Sequence, residues 1–306
     1  MFYLKIKFGE NLIMKNRFLI VFLLTMSQML LSAQNVDDYL DNYLGKNKDG
    51  YVQPVSDILT GMFNSGLITE PKIDSHFYVK IGIVGSAAWV TDNLKTFSAS
   101  TEDPFSPEQK TKVSTILGPA EVTAVTDSNG LTYTFPAGIN AKWVPFALPQ
   151  ITIGGVLNSE LNLRFLAINF GEDFGKLQII GAALRHDIGH YFNLINYNVN
   201  AGYSFQSIKL GSRVNLTNHL ISLDAGRDFK HFYYYGRIAY QLGNMDVTYT
   251  PDAEEGGNKI EFKNKNDFPL FFGLGGGVKL GKVFRFNLGI SYAKFPMAES
   301  GIILKF

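Results

Sequence analysis

The sequence predicts an all-β fold, an antiparallel transmembrane β-barrel of about 12 strands (with 10 and 14 as bounds), preceded by a short N-terminal helical plug. Three observations predict it. Apolar and polar residues alternate with period two through runs of 11 to 13 residues, about twice the usual strand length in water-soluble domains. The front of the chain carries an export pattern, and no later apolar run reaches the roughly 20 residues of a membrane helix. The last residues, "ESGIILKF", form a patterned strand that ends on Phe306.

Composition agrees with strands rather than a helical bundle. Of 306 residues 14% are aromatic, with 25 Phe and 15 Tyr beside 30 Gly, a mixture suited to pleated surfaces with close backbone approach. The stretch "MKNRFLIVFLLTMSQMLLSAQ" opens with Lys15 and Arg17, continues as an apolar segment from Phe18 to Leu31 and ends in Ser32 and Ala33. That order describes a secretory signal peptide over residues 1–33, cut before Gln34, with Met14 as the expected biological start. The chain has no cysteine, which excludes lipoprotein attachment and disulfides. Loss of residues 1–33 removes four basic groups and one acidic group, leaving 24 basic and 26 acidic. This balance argues against nucleic acid as a partner.

Residues 34–70 form the expected helical segment. In "NVDDYLDNYLG" Val36, Tyr39, Leu40, Tyr43 and Leu44 fall at helical spacing before Gly45. In "QPVSDILTGMFNSG" Val55, Ile58, Leu59, Met62 and Phe63 do the same between Pro54 and Gly66. Both stretches are amphipathic and need a surface to pack on. The aromatic and methionine side chains Tyr39, Tyr43, Met62 and Phe63 of the plug are expected either to meet an apolar ligand or simply to anchor the plug.

Residues 71–306 are the expected barrel, with period two from about Phe77. In "INYNVNAGYSF" Ile195, Tyr197, Val199, Ala201, Tyr203 and Phe205 oppose Asn196, Asn198, Asn200, Gly202 and Ser204. In "VFRFNLGISYA" Phe284, Phe286, Leu288, Ile290 and Tyr292 oppose Arg285, Asn287, Gly289 and Ser291. In "FPLFFGLGGGVKL" the apolar residues oppose Gly273, Gly275, Gly277 and Lys279. A soluble sandwich alternates too, but these runs match the 9 to 11 residues of a tilted membrane strand. Charge on a lipid face costs about 2 to 4 kcal/mol at mid-depth, so Arg164, Arg237, Lys279, Arg285 and the asparagines Asn196, Asn198, Asn200 and Asn287 are read as lining a lumen. The residues "SNG" at 128–130 predict a primed hairpin turn at Asn129 and Gly130. "LGK" at 280–282 is expected at the end that holds the C-terminus, and the polar loop 252–267 at the opposite end.

The C-terminal strand places Ile302, Leu304 and Phe306 on one face and Gly301, Ile303 and Lys305 on the other. Glu299, Gly301, Leu304 and Phe306 resemble the signal by which barrel-assembly machinery recognises its substrates, so that machinery and outer-membrane lipid are the expected partners. The succession "GYVQPVSDILTGMFNSGLI", "NLKTFSA", "STILGPAE", "FALPQITIGGVLNSELNLRFL", "GKLQIIGAALRHDI" and "YNVNAGYSFQSIKL" resembles a group of Bacteroidota outer-membrane barrels of unknown function, distantly similar to the FadL-like transporters of hydrophobic compounds. The resemblance implies an N-terminal hatch inside the barrel and sideways release of ligand. This chain is shorter than the classical members and lacks their Asn-Pro-Ala sequence near the mature start.

No enzyme and no cofactor is expected. "HDIGH" sets His186 and His190 four apart without the glutamate of a zinc-protease helix, and "GLGGGVKLGK" matches no phosphate loop. The expected function is passive transport of a hydrophobic or amphipathic small molecule across the outer membrane. A barrel that docks a partner of a secretion or surface-assembly system is the alternative.

Overall fold

The structure is a computed structural model in which residues 47–103, 105–169, 175–192, 194, 196–249 and 260–306 are described. Tyr39 and Tyr43, the signal segment and the first helical pattern lie outside the described residues. Helix α1 covers Lys48–Asn64, and β1 Tyr78–Trp89 follows it. A long connection then carries the single turn α2 (Asp92–Lys95), the hairpin β2 (Thr96–Ser100) with β3 (Lys110–Ser114) and the hairpin β4 (Thr123–Thr126) with β5 (Thr132–Phe135). The remaining strands are β6 Trp143–Val156, β7 Ser159–Asn169, β8 Lys176–Asp187, β9 Asn198–Leu210, β10 Val214–Asp228, β11 Phe232–Tyr249, β12 Ile260–Lys265, β13 Leu270–Leu280, β14 Phe284–Tyr292 and β15 Pro296–Lys305.

Ten of these strands close into an antiparallel ring in the order β1-β6-β7-β8-β9-β10-β11-β13-β14-β15, and β15 returns to β1. The number sits at the lower bound of the sequence expectation. Residues 90–142 lie outside the wall in two small hairpins, and β12 pairs only with the far end of β11. Counting those stretches as wall accounts for the two surplus strands. The seam between β1 and β15 runs from Ala88↔Met297 to Lys80↔Lys305. Phe306 completes it, since its N–H donates to the Val79 carbonyl at 2.9 Å and the Val79 N–H donates back at 3.1 Å.

The burial pattern is inverted relative to a water-soluble protein. Outward positions are apolar and open, with Leu274 and Ile290 each 64% exposed, whereas the inward residues Asn200, Gln206 and Asn287 are 1% exposed or less. A polar core inside an apolar skin is stable where the outer medium is lipid. Exposed aromatics gather at both borders of this skin: Trp89, Trp143, Tyr240 and Tyr292 at one end, Phe77, Tyr197, Phe232, Phe284 and Phe306 at the other. Such girdles mark membrane interfaces.

The two ends differ. At the end holding Tyr78 and Lys305, here the terminal end, the connections are 157–158, 188–197, 229–231 and 281–283. Leu157 and Asn158 both take positive φ in the two-residue turn, the primed geometry that suits strand twist. At the opposite, cap end lie the long connection from β1 to β6, residues 260–269 and the short links 211–213 and 293–295. The expected hairpin at 128–130 is present, as the tip of β4–β5 in the cap. Its turn is not the primed one: only Gly130 has positive φ, and Asp127 Oδ1 accepts the Asn129 and Leu131 N–H groups at 2.8 Å. That aspartate-built loop supplies the reversal, so Asn129 need not adopt positive φ.

The second helical pattern forms, longer than expected. Helix α1 begins before Pro54, which therefore lies inside it, and most of its residues from Tyr51 onward are buried. The helix fills the cap-end half of the lumen. Residues 65–77 continue as an irregular strap to the terminal end.

Candidate functional site

The site is the lumen and its contents, built from inward-facing residues. A helix leaves its last carbonyls without partners, and at an exposed end water supplies them. Here the wall does so instead. Arg164 on β7 donates to the Phe63 carbonyl at 2.8 Å and to the Ser65 carbonyl at 2.9 Å. Gln206 on β9 donates to the Phe63 carbonyl at 2.7 Å, Asn218 on β10 to the Thr60 carbonyl at 3.2 Å, and Arg237 on β11 to the Asn64 carbonyl at 2.8 Å. Two guanidiniums at the negative end of the helix dipole also suit its charge. Close fit completes the seat: a Cβ on Gly243 would stand 2.0 Å from Thr60 Oγ1.

Below the helix, buried charge holds the strap. Glu70, 1% exposed, accepts from Arg285 Nε at 2.9 Å and Lys305 Nζ at 3.1 Å and lies 3.2 Å from Lys80. Lys80 also reaches Glu160 at 3.3 Å, and Tyr78 donates to Glu160 at 2.8 Å. Arg185 joins Glu160 to Asp224, its Nη2 standing 2.8 Å from Asp224 Oδ2. The strap's own carbonyls are taken up as well, Pro71 by Asn200 at 2.9 Å and Ile68 by the Tyr235 hydroxyl at 3.0 Å. Each buried charge here has an opposite partner, the condition on which such groups persist inside a protein.

Glycines on β13 explain "GLGGG". A Cβ on Gly275 or Gly277 would strike the ring of Tyr235 or Tyr233, at 2.5 Å and 2.4 Å from Cζ. These two tyrosines of the neighbouring strand lie across the lumen side of β13, and only glycine leaves them room.

The cap-end half is different in kind. Tyr51 and Phe63 of the helix meet Val84, Leu148, Ile179, Ile208, Leu216 and Met245 of the wall in one apolar cluster. Lys294, in the β14–β15 turn at this end, fastens the helix through Asp57 at 2.6 Å and reaches Asp267 at 3.0 Å. Burial alone would lower Lys294, but the two carboxylates outweigh it and hold the ammonium above its ordinary range.

Beside this apolar half the wall divides. The β6–β7 ladder runs from Val156↔Ser159 only as far as Gln150↔Arg164, so six of the fourteen residues of β6 pair with β7. Its ladder to β1 is continuous over twelve residues, from Trp89↔Trp143 to Tyr78↔Gly154. Pro145 and Pro149 lie in the stretch that β7 leaves. Being four apart in a strand they lack N–H groups on the same side, and the unbroken ladder to β1 assigns that side to β7. Beyond Arg164, residues Phe165 to Asn169 of β7 pair only with β8. Side chains close the gap: half-buried Phe146 and Leu166 pack onto the cluster, and the Phe146 and Phe63 rings are 4.6 Å apart. A cavity of about 10 Å³ lies behind them, lined by Met62, Val84, Ser86, Phe146, Leu148 and Arg164 among others. It holds no more than a single water.

The structure distributes the residues singled out from the sequence as follows. Met62 and Phe63 are buried in the plug, at 2% and 1% exposure. Arg164 and Arg237 grip the helix end, Arg285 grips Glu70, and Asn200 grips the strap and Asp224 at 2.8 Å. Asn287 is buried beside Gly301, where a Cβ would come within 2.1 Å of its Oδ1. Asn198 is half-buried at the start of β9. Lys279 sits at the terminal rim, bonded to Asp228 and to the Phe229 carbonyl at 3.0 Å. Asn196 does not line the lumen. It is exposed in the connection ahead of β9, because the strand begins at Asn198 and the alternation that precedes it is accidental. Leu304 and Phe306 face outward. His186 binds Ser159 Oγ at 2.8 Å and the Tyr191 hydroxyl at 2.9 Å, and His190 lies in the short 3₁₀ turn Gly189–Phe192.

The reading of the sequence missed Glu70, Lys80, Glu160, Arg185 and Asp224. Four of them carry the same signal as Arg164, one charge at an inward position of an apolar strand: "YVKIGI", "SELNL", "ALRHD" and "SLDAG". Glu70 lies in irregular chain, where no period assigns a face.

A model of a family of unknown function (DUF6588) matches residues 14–306. No curated protein matches the chain. Among solved structures, the translocator domain of the autotransporter NalP from Neisseria meningitidis is similar at 12% identity and a TM-score of 0.29, covering 90% of this chain and 99% of its own. The Ralstonia pickettii toluene transporter TbuX is similar at 8% identity and a TM-score of 0.26, covering 83% and 93%. Ail, the attachment invasion locus protein of Yersinia pestis, is similar at 9% identity and a TM-score of 0.25, covering 75% and 97%. The functional reading rests on the chain's own geometry.

Proposed function

The chain belongs to this family of unknown function, and we propose that it is an outer-membrane barrel that passes a hydrophobic or amphipathic small molecule sideways, between the apolar cap-end half of its lumen and the bilayer. The observation that carries this reading is the unpaired stretch of wall between β6 and β7 beyond Gln150↔Arg164. An unpaired strand edge is normally covered or charged, and in hydrocarbon it leaves backbone groups without partners. Here prolines remove two of the donors, and among the described residues the apolar Phe146 and Leu166 pack at the gap.

A route along the barrel axis is opposed by the strap and its ion cluster, which occupy the terminal-end half. A sideways route needs no movement of that cluster. It needs displacement of Phe146 and Leu166 from the helix, which breaks contacts but no backbone ladder.

Crosslinking tests the proposal, and the absence of native cysteine makes it clean. Continuing the ladder register places Ala147 opposite Ala167. The double variant Ala147→Cys, Ala167→Cys, purified and reconstituted in liposomes, is bridged with a short bismaleimide. Uptake of a fluorescent long-chain fatty-acid probe is expected to fall at least five-fold on bridging and to stay unchanged in either single variant. Equal uptake before and after bridging would refute the sideways route and favour a barrel that docks a partner through its cap.

A further inference from the structure

Between the strap and the wall lies a second cavity of about 10 Å³, lined by Leu67 and Ile68 of the strap and by Ala183, Ser204, Ser222 and Arg237 of the wall, among others. It has room for one particle about the size of a water molecule. Ser204 and Arg237 are buried there with polar atoms to spare. The Ser204 hydroxyl, on a residue 2% exposed, has no hydrogen-bond partner among the described residues, and neither have Nε and Nη1 of Arg237, 7% exposed. The remaining nitrogen, Nη2, donates to the Asn64 carbonyl at 2.8 Å, and the Phe271 ring lies 4.4 Å from the guanidinium carbon. A buried donor without an acceptor is costly, and more so when it is charged.

Charge points the same way. Among the described residues Arg237 has one carboxylate in ion-pair range, Glu299 at 3.8 Å, and Glu299 Oε2 already accepts the Gly66 N–H at 3.0 Å. Asp224, opposite Arg237 in the ladder, is held by Arg185 and Asn200. Arg164, the other guanidinium at the helix end, donates among the described residues only to neutral groups: Gln150, Gln206 and two carbonyls. Two buried guanidiniums thus face one carboxylate, and the helix end supplies about half a negative charge. Excess charge held away from water requires a counter-charge.

We propose that this cavity is an anion site that takes a single chloride ion, which accepts from Arg237 and from the Ser204 hydroxyl. A water would meet the same donors but would leave the charge unbalanced. The small volume rules out phosphate, sulfate and carboxylate groups, and none of the lining residues is acidic. The ion joins two parts of the plug, since Arg237 grips the helix end through Asn64 while Leu67 and Ile68 belong to the strap. Its binding therefore stabilises the seated plug, independently of any passage at the fork.

Calorimetric unfolding of the purified barrel in detergent tests this, in sodium chloride, sodium bromide and sodium gluconate at equal ionic strength. A ligand that binds only the folded state raises the transition temperature with its concentration. The wild-type transition is expected several degrees higher in either halide than in gluconate. Arg237→Gln, which removes the charge, and Ser204→Val, which fills the cavity, are expected to lose the difference. Ser204→Val leaves every hydrogen bond of the helix end in place, so it keeps the test open should Arg237→Gln fail to fold. Crystals grown in bromide are expected to show an anomalous peak between Arg237 and Ser204. Equal transitions of the wild type in halide and gluconate would overturn the site and assign the cavity to water. A halide effect that persists in Ser204→Val, or an anomalous peak only elsewhere, would overturn it as well.

Discussion

The two halves of the lumen hold the same continuous piece of chain by opposite means. At the terminal end the strap is fixed by charge: Glu70, Lys80, Glu160, Arg185, Asp224, Arg285 and Lys305 form connected pairs with little exposure. At the cap end the helix is fixed chiefly by apolar packing around Tyr51 and Phe63, with the rim ion pair Lys294–Asp57 beside it, and there the wall itself is unzipped. Charge pairs are directional and fail sharply when one member is lost. Apolar contacts are non-directional and yield gradually. A barrel that must stay shut along its axis and still open at its side gains from placing the first kind of contact where rigidity is needed and the second where it is not.

The largest expected effect comes from breaking the charged half. Arg185→Met removes the cation shared by Glu160 and Asp224 and leaves two buried carboxylates short of partners. Loss of one member of a buried pair destabilises by about 3–5 kcal/mol. The variant is expected to lose its boiling-dependent migration at markedly lower temperature or to fail to accumulate as a folded barrel. Wild-type heat stability in Arg185→Met would mean that the cluster is solvated and that the contrast between the halves is false. Second in size is Arg164→Met, at the border of the two halves. It uncaps the Phe63 and Ser65 carbonyls, each buried acceptor left without a partner costing about 1–3 kcal/mol, although Gln206 still serves Phe63. Urea unfolding followed by tryptophan fluorescence would measure this.

Much of this contrast is legible in the sequence, and the remainder is hidden for identifiable reasons. Strand faces follow from period two, so alternation alone assigns Ile302, Leu304 and Phe306 to the outward face and Arg285 and Asn287 to the inward one. The helix around Met62 and Phe63 follows from its spacing. Its seat does not, because Arg164, Gln206, Asn218 and Arg237 stand on four different strands and meet only through closure of the ring. The excess of expected wall strands has a different origin: dividing length by about ten residues per strand cannot tell that "TFSAS" and "TYTF" pair with near neighbours rather than with the ring. The fork is half visible. Pro145 and Pro149 announce an edge, but which neighbour they lack depends on the register with β1.

The third effect is smaller in stability and larger in function. Phe146→Ala empties the plate that closes the fork against Phe63. Full enclosure would make the loss about 3–5 kcal/mol, and because Phe146 is only half-buried a smaller change is expected. Uptake of the fatty-acid probe should rise several-fold while heat stability drops by a few degrees. A variant that loses stability without any change in uptake would show that the apolar half is a core and not a passage.

The smallest perturbation is the sharpest. Pro145→Ala with Pro149→Ala returns two N–H donors to β6 without adding bulk to its outward face. If the wall is open because those donors are missing, the restored groups can extend the ladder beyond Gln150↔Arg164 toward β7. A net hydrogen bond contributes about 0.5–1.5 kcal/mol, so stability should rise slightly or stay level while probe uptake falls. This combination separates the two origins of the gap. A passive defect in the wall would gain stability and lose nothing, whereas a passage kept open by its prolines gains stability at the expense of transport. Unchanged backbone exchange at β6 and β7, measured by deuterium uptake in the double variant, would show that the strands diverge for another reason, with the helix and its ring of apolar partners wedging them apart.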